Sequence, residues 1–248
     1  MARGLALVLL TAAVGAQAQP PNWRFVGAVA GRAGAVVKNA PFSAVVTTET
    51  SMVLQDGNHI RQTSTQHVYR DSEGRTRREQ SLDSVGGLGN KTNLPTVVFI
   101  NDPVAGVNYA LNLSSKTATR SISGGRGQAG NRDGRMRGGI FGGQQNAKTE
   151  SLGSKTLEGI AAEGTRTTIA IPAGQVGNEQ PLQTVVETWY SPDLKIAVFS
   201  KRDDPRTGVT ITRYSNISRT EPAHALFEVP ADYKVSDSEG RGPRTGSK

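Results

Sequence analysis

The sequence predicts a mainly β protein, built as a single large curved antiparallel sheet or an unclosed β-barrel with little helix. Three observations lead to this fold class. Thr, Val and Ile recur in short runs that Gly, Pro, Asp and Asn separate, which is the pattern of antiparallel strands joined by turns. The turns follow one another closely, as in a meander. The Ala- and Val-rich stretch 25–39 carries three glycines, and each costs about 1 kcal/mol relative to alanine in a helix.

The predicted strands follow the chain in order as hairpins. Asp56-Gly57-Asn58 is a strong hairpin turn, because Gly and Asn tolerate positive φ. Similar turn residues occur at 71–74 and 102–106. The strands are predicted over 42–54, 59–69, 75–82, 96–101, 107–113, 117–122, 149–157, 160–171, 182–190, 195–202 and 207–217. One helical turn is expected near 222–226.

The rest of the chain divides into segments outside the sheet. Residues 1–18 are predicted as a signal peptide, 19–41 as an N-terminal extension or short helix, 42–235 as the β domain and 236–248 as a disordered tail. Residues 121–146 contain nine glycines and four arginines. Such a segment buries too little apolar surface to offset its ordering entropy, so we expect a flexible loop there.

The N-terminus predicts export from the cytoplasm. Arg3 precedes an apolar run over 5–14, and Ala16 and Ala18 stand at the −3 and −1 positions of a cleavage site. These are the parts of a secretory signal peptide. The run is about half the roughly 20 residues that a membrane-spanning helix needs, and no later stretch is apolar enough to cross a bilayer. We therefore expect cleavage after Ala18 and a periplasmic or secreted mature chain.

The residue types exclude several chemistries. There is no cysteine, so disulfides, thiolate metal sites and cysteine nucleophiles are impossible. His59 and His67 lie on one predicted strand about 26 Å apart, too far to share a metal ion. The glycines of 125–130 match a dinucleotide-binding pattern but no helix start follows them. Neither a paired acid and base nor a nucleophile motif occurs, so we expect no cofactor, no metal and no enzymatic activity.

The net charge of +8 is interpreted in the light of export. Acidic partners outside the cytoplasm would be phospholipid headgroups or anionic envelope polysaccharides and not nucleic acid, but a soluble basic surface with no dedicated partner is the favoured interpretation. Arg75 and Arg77 are predicted to share a strand face and are candidates for contact with an anion. The arginines of the glycine-rich loop are further candidates, against an anionic membrane surface. They are Arg126, Arg135 and Arg137.

Three short segments resemble the LolA/LolB-like lipoprotein-carrier superfamily. They are WYSPDL at 189–194, LFEVPADYKV at 226–235, and FINDP at 99–103 with Tyr109 after it. The chain is also similar in pattern to exported bacterial proteins of no assigned function, through YRDSEGRTRRE at 69–79 and IPAGQVGN at 171–178. The superfamily resemblance implies an unclosed barrel wrapped on a lid helix, with an apolar concave face that accepts acyl chains.

This implication gives the first functional hypothesis, a non-catalytic envelope protein that binds a lipid or another hydrophobic ligand in the concave face. Its lining candidates are Phe99, Tyr109, Val186, Trp189, Val198 and Phe199. The alternative is a periplasmic interaction or sensor protein, which meets an envelope protein through sheet edges or the basic loop and has no small-molecule ligand. An exported hydrolase is the third hypothesis, because catalytic triads are recognised by geometry and not by order.

Overall fold

A computed structural model describes residues 36–81, 96–122 and 147–238. These residues form twelve strands and one turn of 3-10 helix at His224–Phe227. The strands are β1 (Phe42–Val53), β2 (His59–Arg70), β3 (Thr76–Ser81), β4 (Thr96–Asp102), β5 (Val107–Asn112), β6 (Thr117–Ile122), β7 (Ala147–Leu157), β8 (Ile160–Ile171), β9 (Leu182–Ser191), β10 (Ile196–Asp204), β11 (Gly208–Ser218) and β12 (Lys234–Asp237).

All twelve strands belong to one unclosed sheet, which confirms the predicted fold class. Its order is β12-β6-β5-β4-β3-β2-β1-β11-β10-β9-β8-β7. The sheet is thus two antiparallel meanders, β1 to β6 and β7 to β11, joined where β1 pairs with β11. Only β12 pairs in parallel, along the outer side of β6. Among the described strands, β12 and β7 are the two edges.

The predicted strands coincide with β1 to β11, with ends that differ by at most two residues. The tail differs from its prediction, because β12 includes Ser236 and Asp237, the first residues of the segment expected to be disordered. The strand it pairs with, β6, lies more than a hundred residues earlier in the chain, so no local sequence pattern indicates this pairing. The signal peptide, most of the N-terminal extension, and residues 123–146 of the predicted loop lie outside the described residues.

The register defines two faces of the sheet. Trp189 pairs with Phe199, and Phe199 pairs with Arg213. The same register, continued across the sheet, places Val98 and Leu111 on this side, which we call the Trp189 face. The opposite side is the Tyr214 face, and its members include Val46, Val68, Arg78, Phe99 and Tyr214.

Two apolar clusters form the core. The larger one lies around the junction of the two meanders and the β9–β10 hairpin; its buried members are Phe42, Ala44, Val46, Val68, Ile160, Ala162, Trp189, Leu194, Ile196, Val198 and Tyr214. The smaller cluster lies on the Trp189 face of β4 to β6, where the C-terminal segment covers the sheet; its buried members are Val98, Ile100, Leu111, Ala118 and Phe227. The 3-10 helix and the residues after it therefore cover the Trp189 face of β4 to β6.

Candidate functional site

The six ligand-lining candidates divide between the two faces of the sheet. Phe199 and Trp189 are direct neighbours on the Trp189 face. Tyr109 lies on that face too, because it pairs with Ile100. Phe99 and Val186 lie on the Tyr214 face. Val198 is the extra residue of a β-bulge in β10 and is buried. One concave surface therefore does not bring all six together, and their ligand-lining role stays a prediction.

Trp189 is held as a core residue. Its ring packs against Gly164, where an added Cβ would stand 2.7 Å from ring carbons Cη2 and Cζ3. The Nζ atom of Lys155 lies 3.6 Å from the ring centroid. The indole Nε1 donates to Glu187 at 2.7 Å, and this hydrogen bond is the main cause of the lowered pKa of that carboxyl. These contacts leave the ring 6% exposed, so its surface serves packing.

Tyr109 also belongs to the core of the Trp189 face. It packs against the cluster that the C-terminal segment covers, together with Tyr69, Leu226, Val229 and Tyr233. Its sequence position in a central hairpin did not distinguish a ligand contact from this packing. The distinction depends on a cover that follows more than a hundred residues later in the chain.

Phe99 has a different environment, on the Tyr214 face of β4. Its neighbours Val97 and Ala110 share that face, and all three side chains are half-buried. The alternate residues Val98 and Ile100 are fully buried on the other face. Beyond sheet neighbours, the 3-10 helix is the described element that packs on β3 and β4, and it lies on the Trp189 face. We call the half-buried surface of Val97, Phe99 and Ala110 the Phe99 patch.

One half-buried guanidinium stands beside the Phe99 patch, and a buried one lies two strands away on β2. Arg78 lies with its Cζ 5.8 Å from the centroid of the Phe99 ring. Arg70 donates from Nε to the carbonyl of Ala40 at 2.8 Å and from an η nitrogen to the carbonyl of Leu194. Burial lowers the pKa of both arginines. Burial also raises the pKa of the Tyr214 hydroxyl, an effect that the two arginines oppose.

The predicted anion-contact arginines at 75 and 77 have internal partners. The Arg75 guanidinium contacts Asp71 at 2.9 Å, Glu73, and Asp102 at 3.7 Å. The Arg77 side chain donates to Glu79 at 2.7 Å and to the carbonyl of Leu226 at 2.8 Å. Both groups thus hold the chain together at the β2–β3 hairpin. Arg126, Arg135 and Arg137 lie outside the described residues.

The segment YRDSEGRTRRE therefore connects parts of the chain that are distant in sequence. Arg70 ties the entry to β1 and the β9–β10 turn to β2. Ser72 bonds Glu221 through its backbone N–H at 2.9 Å and through its hydroxyl. Arg77 ties the 3-10 helix to β3. A run of charges at a turn is ordinarily solvated. No sequence pattern therefore indicated that Arg70, Ser72 and Arg77 bond to residues far away in the chain.

The Trp189 face carries one shallow cavity that the sequence did not indicate. It has a volume of about 230 Å³ and is lined by Arg166, Val185, Glu187, Lys201 and Asp203. Arg166 pairs there with Glu150 of β7 at 3.1 Å and with Glu187 of β9 at 3.5 Å. Alternating charges on neighbouring strands stabilise sheets, which accounts for the arrangement without a ligand.

The described residues contain no group of three or more His, Asp or Glu placed to hold a metal ion. Within the same ranges, no helix has the length and apolar character to cross a membrane.

Asp204 is a fully buried carboxylate, and its partners Arg202, Arg206 and Thr184 hold the β10–β11 turn. The Phe99 patch and the neighbouring Arg78 guanidinium together offer an apolar surface beside a cation. This combination suits the binding of a ligand more than a chemical reaction.

No protein-family model and no curated relative matches the sequence. The fold is similar to solved structures of low identity. A chain of the MucA/MucB complex from Pseudomonas aeruginosa is 13% identical with a TM-score of 0.42, over 80% of this chain and 59% of that one. LprF from Mycobacterium bovis is 13% identical with a TM-score of 0.34, over 79% and 91%.

A LolA superfamily protein from Nitrosomonas europaea is 8% identical with a TM-score of 0.33, over 77% of this chain and 91% of that one. The present chain spans about three-fifths of the length of the first of these matches. LolA superfamily proteins are thus among the structures that this fold is similar to, as the motifs at 189–194 and 226–235 indicated.

Proposed function

We propose that the protein is an exported, non-catalytic envelope protein that binds a lipid or another hydrophobic ligand on the Tyr214 face of its first meander. The observation that carries the proposal is the two-sided apolar character of β4. Val98 and Ile100 are covered by the C-terminal segment, whereas Val97 and Phe99 on the other side are half-buried. Strands that are apolar on both faces occur where both faces are covered. A hydrophobic ligand on the Tyr214 face would add to the cover over Val97 and Phe99.

The chemistry of the Phe99 patch indicates the kind of hydrophobic ligand. Val97, Phe99 and Ala110 offer apolar side chains in a row across β4 and β5. Arg78 adds a guanidinium next to the Phe99 ring, and a guanidinium forms strong hydrogen bonds with carboxylate or phosphate oxygens. An amphiphile with an acyl chain and an anionic head group fits this combination. The predicted signal peptide would bring the protein to the periplasm or the medium, next to membrane lipids.

The first experiment is lipid extraction from the native protein. Residues 19–248 are purified from the periplasm, and an organic-solvent extract is examined by mass spectrometry. We expect a stoichiometric phospholipid or fatty acid that an unrelated basic protein does not retain. An empty extract from a folded protein, as judged by circular dichroism, would contradict the proposal.

The position of the ligand is tested with two matched phenylalanines. Phe99 and Phe199 are both half-buried but lie on opposite faces of the sheet. The Phe99→Ser variant is expected to lose the lipid while it stays folded, and Phe199→Ser is expected to retain it. Loss from Phe199→Ser alone would place the ligand on the Trp189 face and overturn the assignment to the Phe99 patch.

The interaction-protein alternative is favoured by one observation, the exposure of β7. This edge strand has eleven residues, and none of the other described strands pairs with its outer side. Its side chains are mostly exposed along its whole length. An open edge accepts an extended peptide by strand addition. The test is to capture envelope proteins on the purified protein and to make a synthetic peptide from any partner found. Binding of that peptide with protection of the β7 amides from hydrogen exchange would favour this function over lipid binding.

A further inference from the structure

We infer that the Tyr214 face of the second meander, continued over the adjoining strands β1 and β2, is a binding surface for a neutral linear polysaccharide. The inference does not depend on the lipid proposal, which concerns β4 and β5. It starts from one unbroken row of hydroxyl side chains, in which every member is the register partner of the next. The row runs across seven adjacent strands as Ser151, Thr165, Thr188, Ser200, Thr212, Thr48 and Ser64. We call it the hydroxyl row.

The hydroxyl row is accessible over its whole length. None of its seven members is buried, and Ser151 and Thr165 are exposed. Neighbouring strands lie about 4.8 Å apart, so six steps make a row of roughly 29 Å. The next row along the strands has hydroxyls at Thr149, Thr167, Thr210 and Thr50, with Val186 and Arg202 between the two pairs. The length and uniformity suit a repeating ligand.

The opposite face of the same strands carries a different row at this level. There the corresponding row consists of Glu150, Arg166, Glu187, Lys201, Ile211, Glu49 and Thr63. Charges of alternating sign on that side hold neighbouring strands together. Strand propensity alone does not separate the two faces, because threonine has the same backbone preference on either of them. Cross-strand hydroxyl pairs also stabilise a sheet, and what distinguishes the hydroxyl row is that it carries no charge from β7 to β2.

Hydrogen-bond capacity indicates the ligand class. A hydroxyl has one donor and two acceptor lone pairs. The Thr48 and Thr212 Oγ1 atoms are 3.2 Å apart, as in a hydrogen bond, which leaves acceptor sites on both. A polyhydroxylated neutral chain can donate to and accept from each of them. The hydroxyl row itself contains no cation, and the neighbouring Arg202 on the same face pairs with Asp204 at 2.8 Å, so the row favours a neutral polymer.

An exposed aromatic ring at the side of the row supports the same class. Tyr190 lies two residues beyond Thr188 on the same face of β9, and its side chain is 43% exposed. The flat apolar side of a pyranose stacks on such rings, while the hydroxyls at its rim bind polar groups. Sheet twist of about 20–25° per strand makes the row a curved line. A single flexible glycan chain follows that curve, and a flat crystalline surface does not.

The test is affinity electrophoresis in native gels that contain hydroxyethyl cellulose or dextran, with alginate as an anionic comparison. We expect the full mature chain to be retarded by at least one of the two neutral polymers. The variant T48V/T188V/T212V removes three hydroxyls without changing side-chain shape. Each lost hydrogen bond weakens binding roughly fivefold, so the triple variant should bind about a hundredfold more weakly.

The matched control is T47V/T65V/T168V, which makes the same change on the Trp189 face. It should bind like the unmodified protein, as should Phe99→Ser, which separates this surface from the lipid site. Tyr190→Ala should weaken retardation without lowering the unfolding temperature. The proposal is overturned if neither neutral polymer retards the protein, if only alginate does, or if the two triple variants bind equally.

Discussion

At the scale of single residues, Asp204 carries the densest set of polar contacts. The carboxylate is fully buried and accepts from both Nε and an η nitrogen of Arg206, at 2.9 and 2.7 Å. Arg202 and Thr184 donate to it at 2.8 and 3.1 Å. These hydrogen bonds, that of Arg206 first, hold the pKa of Asp204 far below its ordinary value.

We expect Asp204→Asn to lower the free energy of unfolding by about 2–3 kcal/mol at pH 7, because a buried charge network loses its anion. A depressed pKa stabilises the folded state above the unfolded-state pKa, near 3.8, and this contribution is lost as pH falls below it. The difference in unfolding free energy between the unmodified protein and Asp204→Asn should therefore shrink as the pH falls from about 4 to about 2, below the unfolded-state pKa. Urea unfolding across this range measures it, and a constant difference would contradict the assignment.

Gly164 tests the packing of Trp189 at the same scale. An added Cβ would lie 2.7 Å from two carbons of the indole and 2.9 Å from the Leu152 Cβ. Gly164→Ala is expected to cost about 1–3 kcal/mol by overpacking and to displace the ring from Lys155. In a Trp23→Phe background the fluorescence comes from Trp189 alone, and its maximum should move to longer wavelength. Gly153→Ala is unsuitable as a control because its φ is +76°; Ala161→Gly on the same strand is exposed and suitable.

At the scale of elements, the C-terminal cover determines which side of β4 is available. Phe227 is 3% exposed among Val98, Ile100, Leu111 and Ala118. Phe227→Ala should lower the free energy of unfolding by about 3–5 kcal/mol. It should also speed amide exchange in β12, which the same segment carries to the edge of β6. Leu226→Ala, at a partly buried neighbour, is the control and should have the smaller effect on both.

Elements whose causes are local were predictable from the sequence, and those with distant causes were not. The hairpin at Asp56-Gly57-Asn58 follows from turn residues that are adjacent in the chain, and Gly57 has φ +80° as expected. β12 and the cover over Tyr109 depend on a segment that returns from the end of the domain. Periodicity placed Phe99 and Tyr109 on strands, but only the register assigned them to opposite faces.

The candidate site shows the same division. The aromatic residues were recognisable from the sequence, yet their use as core or as accessible surface depends on what packs over them. Gly164 and Lys155 pack against the Trp189 ring. Neither contact can be recognised from the residues next to Trp189 in the sequence. The hydroxyl row was not recognised at all, because its members come from seven strands. Its signal was present as Thr and Ser at alternate positions, and it becomes a row only once the strands are in register.

At the scale of the whole molecule, an unclosed sheet has to protect two edges from other sheets. β12 covers the outer side of β6, and ion pairs of Arg120 with Asp237 and of Lys116 with Asp232, both at 2.7 Å, accompany it. β7 has a bulge between Ser151 and Gly153 and charged side chains at Lys148, Glu150 and Lys155. Bulges and charges are the usual means by which edge strands avoid pairing with other molecules.

This predicts that charges on β7 keep the protein from associating with itself. The variant K148V/E150V leaves net charge unchanged and raises strand propensity on the open edge, so we expect larger species to increase with protein concentration. K201V/D203V makes the same pair of changes on the same face of β10, whose two sides are already paired with β9 and β11. Size-exclusion chromatography with light scattering should show association in the first variant and none beyond the unmodified protein in the second. Equal association in both would assign the effect to exposed valine, because the backbone of β10 is already paired on both sides and that of β7 is not.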